Sequence, residues 1–599
     1  MKKIVLFICA VTLLNFSIKA QEKTEEELIE AINNRQSPEW FSNAKLGIFV
    51  HWGLYSVPAY GGKESYAEWF LRGIQLKDSL RSNFMKKLYG EDFKYNDLTN
   101  HFKAELFNPA EWAELFENAG AKYVVLVTKH HDGYTLWPSK YNRNWNTVDT
   151  GPKRDIVGEL TNAVRKTDLK MGLYYSLAEW NHPLHRWYTD PHDNIGQYVE
   201  EYMIPQFKEL VSEYKPSLIF TDGEWYNTAK QWHSAELINW YYNLVGKDAI
   251  VNNRWGHGID VGFLTPEYSA GIKVTDRPWA EVRGIGRSFG LNRNEDLAAY
   301  GTSKDLITRF VQTVANGGGM ILNVGPKADG QIPMIQQERL TQLGDWLKIN
   351  GAAIYGSKPF EIMEEEKLIY KERIDENINF RWVRNAPLKG IKEDNFLAEW
   401  KGFIVAPENG KFTFEVKADD EAAVFIDNKL VVNQNNTITA NEAEVMGADT
   451  GASKDGVITL KKGVAYPIYI KYKENKQNAE ISLFWSTKNT KKEIVPAANF
   501  FQDKDKSTPG ILGTYSSMET YLCYTQNNNN TYAISFEWPD NELVLTIPNP
   551  GNNAKVKLLG VDKNLDWKYQ EGKMIVNTST IKFRELPSFD AWTFEINKN

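Results

Sequence analysis

Between about residues 40 and 355, short runs of β-branched and aromatic residues alternate with longer amphipathic stretches. The short runs, predicted to be strands, are 46–51, 123–129, 171–177, 218–222, 249–254 and 320–324. The amphipathic stretches, predicted to be helices, include 109–119, 155–166, 195–214, 235–244, 303–315 and 335–349. Strands that alternate with helices over this length predict a parallel sheet, and about 300 residues suit a (β/α)8 barrel.

The helical pattern stops near residue 358. Residues 375–500 instead show short alternating strands separated by turn signals: Asn409-Gly410, Asp427-Asn428, Asn435-Asn436 and Lys462-Gly463. A second β-rich segment runs from about residue 506 to the end. We therefore predict an α/β barrel over residues 21–358, followed by two β-sandwich modules over residues 359–505 and 506–599.

The first 20 residues have the pattern of a signal peptide. Met1-Lys2-Lys3 precedes an apolar run that ends near Phe16, and Ala20 is a small residue before charged sequence. This pattern predicts export to the periplasm or the cell exterior. Cleavage after Ala20 leaves Cys523 as the only cysteine, so no internal disulfide can form, and we expect a buried core thiol.

Charge and hydropathy exclude two classes of partner. The 599-residue chain has 70 Lys and Arg against 77 Asp and Glu, a net charge of −7, and no basic block, which argues against nucleic acid. No segment after the leader reaches about 18 apolar residues, so no membrane span is expected. Aromatic residues make up 13% of the chain, which suits sugar binding but also β-rich cores. The sequence leaves the oligomeric state open.

Polar and aromatic residues collect where the predicted barrel strands end. His51-Trp52, His130-His131-Asp132, Asp222 and Arg254-Trp255 each follow or finish one of the runs. Barrel enzymes build their active sites at this end of their strands. All nine histidines lie in the first 257 residues, and no glycine-rich phosphate-binding motif follows a strand. Chemistry is therefore expected in the barrel.

Asp222 is the strongest candidate for a nucleophile or base. The apolar run Leu218-Ile219-Phe220 leads directly into it, and Gly223 follows. Glycoside cleavage needs a second carboxyl group that is protonated. Glu281, in Trp279-Ala280-Glu281, is preferred for this role, and Glu267, in Pro266-Glu267-Tyr268, is the alternative. Each could instead be the partner of a nearby arginine.

His51, His130 and His131 could be metal ligands. A strand would point the adjacent His130 and His131 in opposite directions, which is a poor arrangement for a shared metal. Hydrogen bonds from these imidazoles to substrate hydroxyl groups are the preferred interpretation. We expect no metal and no cofactor in the barrel.

Together these motifs resemble the α-L-fucosidases of glycoside hydrolase family 29, over about residues 38–360 and again from about 520. The resemblance rests on seven ordered segments. They are Lys45–Ala59, Glu68-Trp69-Phe70, Lys129–Tyr134, Gly172–Leu177, Phe220–Trp225, Asn253–Gly256 and Leu322–Pro326.

The resemblance implies a retaining exo-hydrolase that removes terminal α-L-fucose from fucosylated oligosaccharides or glycoconjugates without a metal. Asp222 falls on the family's nucleophile, and Glu281, or alternatively Glu267, would be the acid/base. The positions that fall on sugar-binding residues of the family are His51, Glu68, Trp69, His130, His131, Tyr174 and Arg254.

Residues within 375–500 resemble a PA14 domain inserted before the family's C-terminal β-domain. The segments that carry this resemblance include Phe396–Trp400, Gly410–Phe414, Ala418–Asp420 and Val424–Asp427. Asp419-Asp420 could bind calcium, as in some PA14 domains, or could form a turn. Two rival functions stay open: a catalytically inactive carbohydrate-binding or adhesion protein, and a retaining exo-glycosidase for a galactose-configured sugar.

Overall fold

The structure, a computed structural model, describes residues 23–598 except 64, 186–194, 269–274, 384, 435–454 and 477. The predicted signal peptide therefore lies outside the described residues. The chain forms two compact units. The first contains the described residues up to Thr302 together with Gly317–Lys348, and the second contains Ser303–Asn316 and the chain from Ile349 onward.

The first unit is built around a seven-stranded parallel sheet. Its strands are β1 Leu46–Val50, β2 Tyr123–Lys129, β3 Lys170–Ser176, β4 Leu218–Asp222, β5 Ile250–Val251, β6 Ala280–Gly284 and β7 Gly319–Val324. The strand order is β5-β4-β3-β2-β1-β7-β6. Each of the six predicted runs overlaps one of these strands, although β5 covers only Ile250–Val251 of 249–254, and the predicted α/β architecture is confirmed. The sequence analysis missed β6.

Helices alternate with these strands as predicted. They are α1 Glu25–Asn33, α2 Glu39–Ala44, α3 Phe70–Gln75, α4 Ser79–Tyr89, α5 Pro109–Asn118, α6 Ile156–Val164, α7 Gly196–Tyr198, α8 Ile204–Tyr214, α9 Ser234–Val245, α10 Ser303–Ala315 and α11 Met334–Asn350. A π-helical turn, Val199–Met203, joins α7 to α8. Side chains cap several helices; for example, Asn108 accepts hydrogen bonds from the first turn of α5, where Pro109 needs no partner.

An irregular segment, residues 263–268, closes the ring between β5 and β6. On one side Phe263 N donates to Val251 O (3.0 Å), and on the other Val282 N donates to Pro266 O (2.8 Å). Isolated parallel bridges join Asn252 to Phe263 and Glu267 to Val282. This segment therefore takes the position of the eighth strand, although it forms no continuous ladder.

The interior of this ring is packed with apolar side chains. One buried cluster contains inward-facing residues from most of the ring: Phe49, Val125, Val127, Tyr174, Phe220, Ile250, Phe263, Ala280, Val282 and Ile321. The ring is thus filled through its middle, and open space is left for chemistry only beyond the strand ends.

The second unit is mainly antiparallel β-structure. Its strands are β8 Lys358–Asp375, β9 Asn379–Val383, β10 Phe396–Val405, β11 Gly410–Ala418, β12 Glu421–Ile426, β13 Lys429–Gln434, β14 Asp455–Leu460, β15 Ala465–Glu474, β16 Ala479–Ser486, β17 Glu493–Ile494, β18 Phe500–Phe501, β19 Ile511–Asn527, β20 Asn530–Ser535, β21 Glu542–Leu545, β22 Lys555–Leu558, β23 Asn564–Leu565, β24 Trp567–Gln570, β25 Lys573–Asn577 and β26 Trp592–Asn597. They form sheets of eleven, five and three strands.

Two strands of the eleven-stranded sheet run through both predicted β modules. β8 pairs with β19 from Lys358–Gln526 to Asp375–Ile511. Residues 376–510 are thus inserted at the tip of a long hairpin, and β10, β12, β13 and β15 of this insertion belong to the same sheet. One apolar core contains residues from this insertion, among them Trp400 and Trp485. A separate core contains Phe360, Leu522 and residues further along the chain. The two β modules therefore have separate cores on a shared sheet.

Two of the predicted turns have a clear backbone basis. Asp427 and Asn428 join β12 to β13 with φ of 54° and 60°, which is the left-handed geometry of a tight hairpin. Asp419-Asp420 joins β11 to β12, and the Asp420 Oδ2 atom accepts a hydrogen bond from Asn475 N at 2.7 Å. The predicted Asn435-Asn436 turn lies outside the described residues.

Cys523 is fully buried, and burial raises the pKa of its thiol, so its environment is that of a core residue. Among the described helices, none combines the length and the apolar character that crossing a membrane requires.

Candidate active site

The strand ends of the first unit bring together residues that are far apart in the sequence. Asp222 is the last residue of β4, and Tyr174 lies within the neighbouring β3. His51 and His130 directly follow β1 and β2, and Arg254 follows β5. Parallel strands carry all five to the same end of the ring.

Asp222 is held by three side chains. Tyr174 Oη donates a hydrogen bond to Asp222 Oδ2 at 3.0 Å, and Arg254 Nη1 donates to Oδ1 at 3.2 Å. His131 Nε2 lies 3.5 Å from Oδ2. The side chain of Asp222 keeps 14% of its surface exposed, so it is fixed in position but accessible.

These contacts keep Asp222 ionised. Burial by itself would raise the pKa of this carboxyl, but the charge of Arg254 and the hydrogen bond from His131 outweigh it and lower the pKa well below its usual range. A carboxylate that is ionised and oriented by fixed donors is suited to act as a nucleophile.

Arg254 connects Asp222 to a second carboxylate, Glu267. Arg254 Nη2 donates to Glu267 Oε1 at 2.5 Å, while Arg254 Nε and Nη2 also bind the hydroxyl and the carbonyl of Thr265 (3.0 and 3.1 Å). Tyr66 Oη donates to Glu267 Oε2 at 3.3 Å. Glu267 lies on the irregular segment that closes the ring, and its side chain is 31% exposed. One guanidinium group thus holds two carboxylates side by side.

The structure does not bring Glu281, our preferred acid/base, to this site. Ala280 and Val282 face the interior of the ring, so the side chain of Glu281 between them points the opposite way. Glu281 has no exposed surface and lies 3.2 Å from Arg283 Nε. The preference for Glu281 is therefore corrected: of the two predicted acids, only Glu267 lies beside Asp222.

The three histidines at the strand ends are buried, and two of them form hydrogen bonds with neighbouring side chains. His51 Nδ1 forms a 2.6 Å hydrogen bond with Asn323, and His131 Nδ1 forms one of the same length with Ser176. His130 Nδ1 is enclosed and has no partner in the described part of the chain. Burial lowers the pKa of His51 to about 4 and that of His130 well below its usual value, so both are neutral at physiological pH.

Within the described residues, no group of three or more His, Cys, Asp or Glu side chains has the arrangement of a metal site. The neutral histidines instead offer donors and acceptors that suit hydroxyl groups.

Aromatic rings form one wall of the site. Trp69 packs at 5.0 Å from Trp180 and at 5.7 Å from Trp225, and Trp225 lies 4.9 Å from the ring of His131. Trp69 was predicted. Trp180 and Trp225 lie shortly after β3 and β4, but nothing in their spacing along the sequence showed that they would meet Trp69.

Glu68 is almost completely enclosed. Its Oε2 accepts hydrogen bonds from Gly290 N (2.8 Å) and Ser288 Oγ (3.2 Å). Burial raises the pKa of Glu68 to about 7, although these donors lower it in part.

One acidic residue of the site was not predicted. Glu224 follows Asp222 by two positions, and burial together with the charge of Asp222 raises its pKa to about 7. Glu224 lies in Phe220–Trp225, one of the segments that carry the family resemblance, but the sequence analysis assigned it no role.

The profile of the α-L-fucosidase family matches residues 12–352 of this chain. The chain belongs to the α-L-fucosidase family. Profiles of the PA14 domain and of the α-L-fucosidase C-terminal domain match residues 352–499 and 516–597. The resemblance found in the sequence, including the inserted PA14 domain, is confirmed.

Individual fucosidases are similar over the same region. The tissue α-L-fucosidase of Bos taurus is 42% identical over 352 residues, which cover 57% of this chain and 73% of the relative. The α-L-fucosidase of Dictyostelium discoideum is 41% identical over 344 residues, covering 56% and 74%.

The crystal structure of Thermotoga maritima α-fucosidase in complex with a mechanism-based inhibitor matches 96% of this chain and 98% of its own. Its TM-score is 0.62 and its sequence identity 26%.

Proposed function

We propose that this chain is an exo-acting retaining α-L-fucosidase that hydrolyses terminal α-L-fucose from fucosylated oligosaccharides or glycoconjugates. One observation carries the proposal: in a chain of this family, Arg254 joins an accessible, ionised Asp222 to a second carboxyl group, Glu267. Retaining glycosidases need two carboxyl groups about 5–5.5 Å apart, and two carboxylates that share one guanidinium fit that requirement.

In the first step, an oxygen of Asp222 forms a bond to the anomeric carbon of fucose. The bond between that carbon and the glycosidic oxygen breaks, and Glu267 gives its proton to the departing oxygen. The product is a fucosyl ester of Asp222 and an ionised Glu267. Arg254 touches both groups, so it stabilises the negative charge as it leaves Asp222 and appears on Glu267.

In the second step, the ionised Glu267 removes a proton from water, and the water oxygen attacks the anomeric carbon. The ester bond to Asp222 breaks, which restores the carboxylate and releases fucose with its original anomeric configuration. Glu267 is more exposed than Asp222, as a group that serves both the leaving group and the incoming water must be.

The remaining residues are suited to hold the sugar. Neutral His51 and His130 can bond hydroxyl groups without introducing charge, and Glu68 can accept or donate according to its protonation. Trp69 offers a flat face for the apolar side of the ring, which in fucose carries a methyl group. Enclosure by these side chains favours a terminal sugar over attack within a chain.

Hydrolysis of p-nitrophenyl α-L-fucoside tests the function directly. Asp222→Ala should lower the rate at least ~10³-fold, because it removes the nucleophile. Glu209→Gln, a substitution on α8 outside the site, serves as the control. An unmodified enzyme without activity on this substrate and on fucosylated glycans would refute the proposal, and activity confined to a galactose-configured sugar would support the rival glycosidase.

The acid/base assignment has its own test. Glu267→Ala should spare substrates with good leaving groups, which need no proton, and azide should restore its rate by replacing water as the nucleophile. Glu281→Ala should not show azide rescue. Rescue of Glu281→Ala but not of Glu267→Ala would reverse the assignment.

We also propose that the protein is exported, to the periplasm or beyond, because its first 20 residues have the pattern of a signal peptide. Mass spectrometry of the secreted or periplasmic protein should find an N-terminus at Gln21. Recovery of the intact chain, with Met1, from the cytoplasm would contradict this.

A further inference from the structure

Glu224 is held beside Asp222 by a turn that only glycine fits well. Gly223 has φ of 79°, and a Cβ atom there would lie 3.0 Å from Ser176 Oγ and 3.1 Å from Ala178 N. The Glu224 carbonyl then accepts hydrogen bonds from Asn227 N (3.1 Å) and Trp232 Nε1 (3.2 Å). The backbone of Glu224 is therefore fixed, although it lies in a loop.

The side chain of Glu224 is unusual because one oxygen is enclosed without a partner. Oε2 is shielded from solvent and accepts or donates no hydrogen bond within the described residues. An enclosed polar atom with no partner costs about 1–3 kcal/mol, and such atoms in a native protein need an explanation. A ligand that supplies the missing partner is one such explanation.

Arg254 does not form an ion pair with Glu224, because its guanidinium group donates its hydrogen bonds to Asp222, Glu267 and Thr265. Asp222 and Glu267 repel a negative charge on Glu224, and Arg254 attracts it; burial and the repulsion prevail and raise the pKa to about 7. A protonated Glu224 presents both a donor and an acceptor, as a sugar hydroxyl does.

We propose that Glu224 is a further substrate-binding residue of this site, whose enclosed Oε2 forms a hydrogen bond with a hydroxyl group of the fucosyl ring. The inference rests on the proposed fucosidase function. Oε2 is shielded from solvent whereas the side chain of Glu267 is 31% exposed, so we assign Oε2 to the enclosed fucosyl ring and not to the leaving group.

Binding of L-fucose and of its 2-, 3- and 4-deoxy analogues to the mature enzyme tests this, with calorimetry for the wild type and for Glu224→Ala. For the wild type, loss of the hydroxyl that Glu224 binds should weaken binding about tenfold, the equivalent of 1.4 kcal/mol. In Glu224→Ala, L-fucose itself should bind about tenfold more weakly, and the penalty for that one deoxy analogue should disappear. Equal penalties in both proteins for all three analogues would overturn the proposal.

Thermal unfolding separates binding from a structural role. Because Oε2 has no partner among the described residues and the carboxyl group lies near like charges, Glu224→Ala and Glu224→Gln should unfold at the same temperature as the wild type or higher, while kcat/KM falls. As a control, Glu209→Ala removes a carboxylate that does have partners, Trp137 Nε1 and Lys140 N (3.3 and 3.1 Å). It should lower the melting temperature and leave fucose binding unchanged.

Two results would count against Glu224 in different ways. A lower melting temperature in Glu224→Ala, restored together with binding by Glu224→Gln, would make the residue structural and overturn the proposal. A wild-type enzyme that neither binds nor hydrolyses fucosides would instead overturn the proposed function on which it rests.

Discussion

At the scale of single residues, the site is organised by how one cation is shared among several acids. Arg254 contacts Asp222 and Glu267, whereas no ion pair among the described residues involves Glu68 or Glu224. Asp222 is accordingly ionised, and the pKa values of Glu68 and Glu224 rise to about 7. Carboxyl groups in one pocket therefore titrate over different pH ranges.

The buried Glu68 should make stability depend on pH. The pKa of Glu68 rises from 4.5 to about 7 on folding, so the folded protein favours the protonated carboxyl group. The stability that this group contributes is complete below pH 4.5 and is lost as the pH rises through 7. Glu68→Gln removes this titration. As the pH is raised from 4.5 to 8, the free energy of unfolding of the variant should increase relative to that of the wild type by up to about 3 kcal/mol. Denaturant unfolding of both proteins at pH 4.5 and at pH 8 measures this change. The same difference in unfolding free energy between variant and wild type at both pH values would contradict the prediction.

The residues of the site differed in how well the sequence predicted them. Asp222, His51, His130 and Arg254 stand directly at strand ends, where the hydrophobic pattern is unambiguous. Glu281 was chosen because Trp279 precedes it, but β6 was not recognised as a strand, so its two-residue alternation could not be used to show that Glu281 faces outward.

At the scale of elements, a buried ion pair fixes the loop that carries the two histidines. Lys129, the last residue of β2, donates to Glu179 Oε1 at 2.7 Å and to Gln206 Oε1 at 3.1 Å. Both charged side chains are almost fully buried. Next to this pair, Trp180 N donates to His131 O at 2.7 Å. The pair therefore joins the end of β2 to the loop after β3.

Lys129→Met should destabilise the protein by about 3–5 kcal/mol, since it leaves the charge of Glu179 buried without a partner. Calorimetry should show the melting temperature of the affected transition falling by on the order of 10 °C. Lys129→Met combined with Glu179→Leu should recover most of this loss. If the double variant were as unstable as the single one, the charge would not be the cause.

The irregular closing segment depends on Gly262. Its φ is 65°, and a Cβ atom would lie 2.3 Å from the carbonyl oxygens of Val251 and Asn252. Gly262→Ala should therefore push the segment away from β5 and lower both the melting temperature and kcat/KM. Gly258→Ala is the control, because it has a similar φ of 88° but open space around it. Equal effects of the two would assign the loss to backbone conformation alone.

The regular strands could be predicted because their apolar runs are long. Residues 263–268 could not, since Pro266 and Glu267 interrupt the apolar pattern and the segment is held by isolated bridges. Only its pairing with β5 on one side and β6 on the other shows that it completes the ring.

At the scale of the whole molecule, the inserted PA14 domain is a branch of the C-terminal β-domain. The hairpin of β8 and β19 runs through both, and each has its own apolar core. The sequence predicted two successive modules, but residue order alone cannot reveal strands that are paired across an insertion of this length.

This arrangement predicts a viable deletion. Glu366 pairs with Thr520, so residues 367–519 can be replaced by Asn-Gly, which favours a tight hairpin turn. The variant should fold and hydrolyse p-nitrophenyl α-L-fucoside with a kcat/KM within about threefold of the full chain, because every site residue lies in the first unit. A folded variant without activity would show that the insertion takes part in catalysis.

The two carboxyl groups that we propose to be catalytic are anchored with unequal strictness. Asp222 ends β4, which pairs with β3 and β5, so a residue added or lost within β4 would shift its register against both neighbours. Glu267 is fixed by a few bridges and by Arg254, and residues could be gained or lost before it while the guanidinium still drew a carboxylate into position. Aligned sequences of this family should therefore fix the nucleophile readily and place the proton donor poorly, and spatial superposition onto the arginine is the better way to find it.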